Sequence, residues 1–164
     1  MEVLTRLVPV LRMVNEGGRA LDVAPASLLR SVIDRARIED SIGVSPSALT
    51  RVIGRPDCRL AAYGSLAPGE SNHSQLGPLS GFWEEGSVRG HLERVGWGEA
   101  IGFPGMRWDP EGEAIRVKLF TSEDLPTHWQ RLDEFEGADY RRILIPVETE
   151  DSVVVANIYE LAAD

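Results

Sequence analysis

Glu136 stands where a solvated carboxylate has little reason to be. On a helix starting at about Leu125, with 100° per residue, Leu125, His128, Trp129, Leu132, Phe135 and Glu136 share one face, and Glu134 points nearly opposite. A carboxyl in an apolar stripe loses hydration. In the last turn of a helix that stops at Gly137 it also meets the negative end of the helix dipole. Both effects disfavour the charged form and bring titration toward neutrality, which suits a proton-transfer group. The competing reading is a structural glutamate paired with Arg141 or Arg142. Asp133, on the edge of the stripe, is expected to be a surface carboxylate or a support for Glu136.

A second chemical element lies upstream. Tyr63-Gly64-Ser65-Leu66-Ala67-Pro68-Gly69 follows a short apolar run, and Asn72-His73 comes soon after. A glycine just past a strand lets the backbone turn and approach a ligand, so that successive N–H groups converge on a carboxylate or an oxyanion. An ordinary glycine turn is the alternative. Cys58 is the single cysteine and His73, His91 and His128 are scattered, which excludes an internal disulfide and opposes a zinc site.

The elements that must position these groups fall into two segments. Residues 1–57 carry eight arginines against seven acidic residues, leaving nine of the 17 basic and nineteen of the 26 acidic residues to 58–164. The first segment reads helical: Leu4, Leu7, Val8, Leu11 and Val14 keep helical spacing before Gly17-Gly18, and Leu28, Leu29, Val32, Ile33 and Ala36 do so after Pro25. A third short helix is expected from Ser45 as N-cap, through Pro46, to Gly54. The second segment reads as strands: 60–63, Ile115 and Val117 alternating with Arg116 and Lys118, Ile143 and Ile145 before Pro146, and the β-branched stretch 153–159. Residues 64–81, rich in Gly, Pro, Ser and Asn, form a loop of functional character. Glu84-Glu85 and 109–113 read as solvated turns, and the four tryptophans as core or pocket wall.

At 164 residues and 43% hydrophobic content the chain is an ordinary globular protein. Nothing approaches a membrane span, and the apolar run at 7–11, broken by Pro9 and closed by Arg12, is too short for a signal peptide. With the lone cysteine this reads as a cytoplasmic protein. A formal net charge of −9 opposes nucleic acid and anionic membranes as partners.

Several motifs in order resemble the γ-glutamylcyclotransferase-like family, in particular its γ-glutamylamine cyclotransferase and AIG2-like branch. They are Tyr63-Gly64-Ser65-Leu66, Gly69-Glu70-Ser71-Asn72-His73, the aromatic-proline segment Phe103-Pro104-Gly105, Leu132-Asp133-Glu134-Phe135-Glu136 and Tyr140-Arg141-Arg142. The resemblance covers 58–164. It implies an α+β fold, a small mixed, partly closed β-barrel with flanking helices and a cavity at one end, and an intramolecular cyclisation of a γ-glutamyl amine or amino acid to 5-oxoproline that needs neither metal nor cofactor. Carried over residue by residue, it makes Glu136 the catalytic acid/base, Tyr63, Gly64, Ser65 and Leu66 the binders of the γ-glutamyl group, and Tyr140 a pocket residue.

The N-terminal segment supports other readings. Ile38, Ile42, Gly43, Val44, Leu49 and Val52 occupy the apolar and glycine positions of a helix-turn-helix with 47–53 as second helix, but Glu39 stands where a small residue belongs and only Arg51 could read bases. A helical docking or homo-oligomerisation module is preferred. A ligand-responsive DNA-binding regulator and a catalytically idle family member are the alternative functions.

Overall fold

The computed structural model describes residues 2–16, 53–95, 97, 100 and 102–162. The expected second helix, and the helix-turn-helix reading except for Ile53, lie outside these residues. Gly54, at φ +52°, is the described end of the third. The elements are helix α1 (Glu2–Glu16), strands β1 (Arg59–Ala62), β2 (Phe82–Glu93), β3 (Gly105–Trp108) and β4 (Glu113–Thr121), helix α2 (Trp129–Glu136), and strands β5 (Tyr140–Thr149) and β6 (Val153–Leu161).

Strand order β2-β4-β1-β6-β5 closes into a five-stranded barrel when β5 returns to β2 at Ser87↔Glu148 and Gly86↔Thr149. The sheet is mixed because β1 and β6 run parallel, with Leu60 opposite Asn157, while the other pairings are antiparallel. β3 is the further strand, paired to the far end of β2. Closure needs a close approach of two backbones: a Cβ on Gly86 would lie 2.8 Å from Val147 Cγ1 and 3.2 Å from the Glu148 carbonyl. Only glycine fits there.

Alternation along the strands divides the apolar residues into two cores. Ala61, Ile115, Val117, Leu119, Ile143 and Ile145 are among those filling the barrel, whereas Leu60 and Ala62 face outward and pack under α2 with Phe120, Leu125, Trp129 and Leu132. β1 is thus buried on both faces, which explains its unbroken apolar run. Sequence pattern missed β2: Glu84 and Glu85 lie within it and pair with Leu119 and Lys118, not in a turn. Their side chains are exposed and few β2 residues are buried, so no hydrophobic alternation marks the strand. The helix expected from Leu125 is a 3-10 turn over Leu125–Thr127 followed by α2 proper. Pro126 in that turn has no N–H for a regular ladder.

Helix α1 forms as its spacing predicts, with Leu7, Val10, Leu11 and Val14 buried. It rests on β5. The buried Asn15 donates Nδ2–H to the Leu144 carbonyl at 2.8 Å and accepts the Leu144 N–H at Oδ1, also at 2.8 Å. No helix among the described residues is long and apolar enough to cross a membrane.

Candidate active site

Helix α2 buries Trp129, Leu132 and Glu136 and leaves Glu134 exposed, as the 100° spacing requires. It ends at Gly137, whose φ of +75° suits glycine and whose N–H bonds the Asp133 carbonyl at 3.0 Å. Glu136 is 8% exposed. Burial, then the negative charge of Asp133, pushes its carboxyl up to about 7 from the usual 4.5. The neighbouring arginines engage other carboxylates: Arg141 Nη2 lies 2.6 Å from Glu160 and Arg142 Nε 2.9 Å from Asp133. Ion pairing between Glu136 and these arginines, the competing expectation, is therefore not what sets its charge. Trp97 donates its indole N–H to the Glu136 carbonyl at 2.7 Å, satisfying one of the free carbonyls at the helix end, and packs edge-on against Phe135 and Tyr140.

Glu136 opens on a small cleft between the end of β1 and the end of α2. The structure brings all six expected residues into its lining: Glu136, Tyr63, Gly64, Ser65, Leu66 and Tyr140. Trp97, Phe103, Pro104, Tyr159 and the β1 residues Leu60, Ala61 and Ala62 complete the wall. Phe103 and Pro104 belong to the aromatic-proline segment of the sequence. Tyr159 was not foreseen, since it sits in a β-branched run whose pattern speaks only of burial.

The loop after β1 is stitched by its own polar groups. Asn72 bonds Ser65 twice, N–H to the carbonyl and Nδ2–H to Oγ, both at 2.9 Å, and His73 Nδ1–H donates to the Leu66 carbonyl at 3.0 Å. Gly69, at φ +83°, takes the turn that the loop needs. Asn72 and His73 thus hold the loop's shape. Among the described residues, the N–H groups of Gly64, Ser65 and Leu66 donate to no protein acceptor. Beside the cleft they form a set of available donors.

Two positions differ in detail from expectation. Gly64 does not adopt positive φ, and a Cβ there would meet only Phe103, at an ordinary 3.8 Å. The turn itself does not need glycine. The Tyr63 hydroxyl is engaged by backbone, donating to the Tyr159 carbonyl at 2.7 Å and accepting the Met106 N–H at 3.2 Å, and burial holds it neutral, well above the usual phenol range. Tyr63 therefore ties β6 to β3 at the barrel end and offers the cleft its ring. Among the described residues no group of three or more His, Cys, Asp and Glu is placed to hold a metal ion.

The fold recurs in solved structures. The chain is similar to YkqA of Bacillus subtilis, at 26% identity and a TM-score of 0.50 over 63% of this chain, but it spans only 35% of that one. An AIG2-like protein of Mus musculus matches at 19% identity and a TM-score of 0.51, over 64% of this chain and 77% of the other. A protein of Arabidopsis thaliana matches at 17% and 0.50, over 65% and 70%. These last two likenesses speak for the fold alone. No curated relative matches. The family model described as gamma-glutamyl cyclotransferase, AIG2-like, matches residues 60–164, which span β1, the loop, the cleft and Glu136, and the chain belongs to that family.

Proposed function

We propose that this chain cyclises a γ-glutamyl amine or γ-glutamyl amino acid to 5-oxoproline and releases the attached amine. The observation that carries the reading is Glu136: a buried carboxyl, titrating at about 7, in a cleft edged by backbone donors. In the reaction the substrate's α-nitrogen attacks its own γ-carbonyl, a C–N bond closes the five-membered ring, and the old amide C–N bond breaks. Two protons pass from the α-nitrogen to the departing nitrogen. Glu136 can carry both in turn, as base before attack and on ring closure, and as acid to the leaving group.

The raised titration decides whether this works. The substrate's α-ammonium stands beside its own free carboxylate and titrates above the roughly 7.7–8.0 of a peptide terminus, so its proton moves uphill to any carboxyl, but by roughly 3 kcal/mol less to a group at about 7 than to an ordinary glutamate. Holding the amine and carbonyl of one molecule in attack geometry supplies roughly 7–11 kcal/mol of the barrier. The tetrahedral oxyanion would be met by the available N–H groups of 64–66, each such donor worth roughly 3–4 kcal/mol. The rings of Tyr63 and Tyr140 would wall the γ-glutamyl group.

The experiment is a panel of γ-glutamyl amino acids, γ-glutamyl-ε-lysine, γ-glutamyl alkylamines and glutathione, with 5-oxoproline measured for the natural sequence and for Glu136→Gln. Turnover of at least one compound that Glu136→Gln abolishes is expected. Silence across the panel, or equal turnover by the variant, would overturn the reading.

A further inference from the structure

Next to Glu136 lies a charge arrangement that the mechanism above does not use. Asp133 precedes Glu136 by three residues, which places the two carboxyls as neighbours on the surface of α2, about 4.5 Å apart along the axis. Three bonds fix Asp133: Tyr159 donates its hydroxyl to Oδ1 at 2.7 Å, and Arg142 approaches with Nε to Oδ1 at 2.9 Å and Nη2 to Oδ2 at 3.2 Å. Arg142 is itself locked. Its side chain is buried, its guanidinium lies over the Trp129 ring at 4.5 Å, and Nη1 donates to Asn157 Oδ1 at 3.0 Å, whose amide donates in turn to the Pro56 carbonyl at 2.8 Å.

The pair is oriented. Trp129, under the cation, lies seven residues before Glu136, roughly 10 Å along the helix axis, while the anion is one turn away. The charge that acts on Glu136 is that of Asp133. The other titratable groups around it do not compete. Tyr63 after β1 and Tyr159 on β6 are buried phenols held neutral, Tyr140 on β5 is a phenol on the cleft wall, and Glu134 is exposed on the opposite face. Glu160 on β6 is neutralised by Arg141 and by the Trp108 N–H at 2.9 Å.

We propose that Asp133, held in place by Arg142 and Tyr159 one helical turn from Glu136, is a positioning residue that acts on the proton exchange of that carboxyl. Only the kinetic readout rests on the cyclotransferase reading, because the titration of Glu136 can be followed without a substrate. Asp133→Asn keeps the Oδ1 acceptor that Tyr159 and Arg142 Nε use, replaces the Oδ2 acceptor of Arg142 Nη2 by an amide donor, and removes the charge.

The test follows the Glu136 carboxyl by carbon NMR across pH, alongside the pH profile of kcat/KM. In Asp133→Asn the Glu136 titration and the acid limb should both move down by roughly half to one pH unit. Asp133→Glu should restore both, and Glu134→Gln should leave both in place. Asp133→Ser, also neutral, should repeat the shift and serves if the asparagine variant does not fold. An unmoved Glu136 titration in the neutral variants would overturn the proposal and leave Asp133 a mere strut. Absence of turnover with a shifted titration would uphold it and count instead against the cyclotransferase reading.

Discussion

At the scale of the residue, Glu136 has consequences for both rate and stability. Glu136→Gln keeps shape but cannot shuttle a proton, so turnover should fall by roughly 10²–10⁴-fold with substrate binding retained, as read from kcat and KM. In the natural sequence the acid limb of kcat/KM should lie near 7, where the carboxyl titrates. Stability follows with a definite sign. Between about 4.5 and about 7 the folded chain keeps a proton that the unfolded chain has lost, so Glu136's contribution falls as pH rises through that window. Urea melts should show the glutamine variant gaining on the natural sequence by up to about 3 kcal/mol between pH 4.5 and pH 8. A constant difference at all pH values would mean that Glu136 is not held protonated. On the loop, Ser65→Ala should cost at most about tenfold, since Oγ is an acceptor for Asn72 and no nucleophile. Gly64→Ala should fold normally, the added Cβ meeting only ordinary contact, and any loss in kcat/KM would then report ligand approach, with Gly64→Val worse. An acyl group trapped on Ser65 would replace this mechanism. Helical periodicity placed Glu136 in the apolar stripe, where one carboxylate is visible in one dimension, but left a structural, arginine-paired glutamate open, and the resemblance supplied its catalytic role. The engagement of Arg142 with Asp133 was not visible, because i and i+9 across a helix and a strand carry no periodic signal.

At the scale of the element, the site depends on how three segments are tied together. Tyr63 joins β6 to β3 through its hydroxyl, so Tyr63→Phe should leave a buried carbonyl and N–H unpaired and cost about 1–3 kcal/mol in thermal or urea melts. Its effect on kcat/KM at full folding should be small, because the ring stays in the cleft. A large catalytic loss without a stability loss would mean that the hydroxyl serves the ligand. Strands with one or two buried faces were legible: 60–63, 115–117, 143–145 and 153–159 all lie in or at the end of strands. β2 was not, because it carries its burial at Val88 and Gly90 and spends most of its length in solvent. Barrel closure was equally hidden. It turns on Gly86 passing under Val147, a contact between residues far apart in the chain that leaves only a glycine in the sequence.

At the scale of the whole molecule, we propose that 58–164 is the folding unit of the barrel, since every strand pairing lies within it, while α1 stabilises that unit from outside. A chain beginning at residue 58 should keep a β-type circular dichroism spectrum and a cooperative melt, but with a lower midpoint. Loss of all structure would make the N-terminal segment part of the core. The Asn15 contact says more than that. At Leu144 and Pro146 the flank of β5 away from β6 has no strand partner among the described residues, and Asn15 supplies the missing donor and acceptor at Leu144. Strand alternation puts Pro146, which has no N–H, on that same flank. The helix thus occupies a length of exposed ladder that would otherwise be a template for a strand from another molecule. Asn15→Ala should leave the monomer folded yet raise the rate of aggregation at high concentration, measurable by light scattering, and removal of α1 should raise it further. The stretch laid bare, Ile143 to Val147, is rich in apolar β-formers, with Pro146 as its one gatekeeper against fibrous stacking.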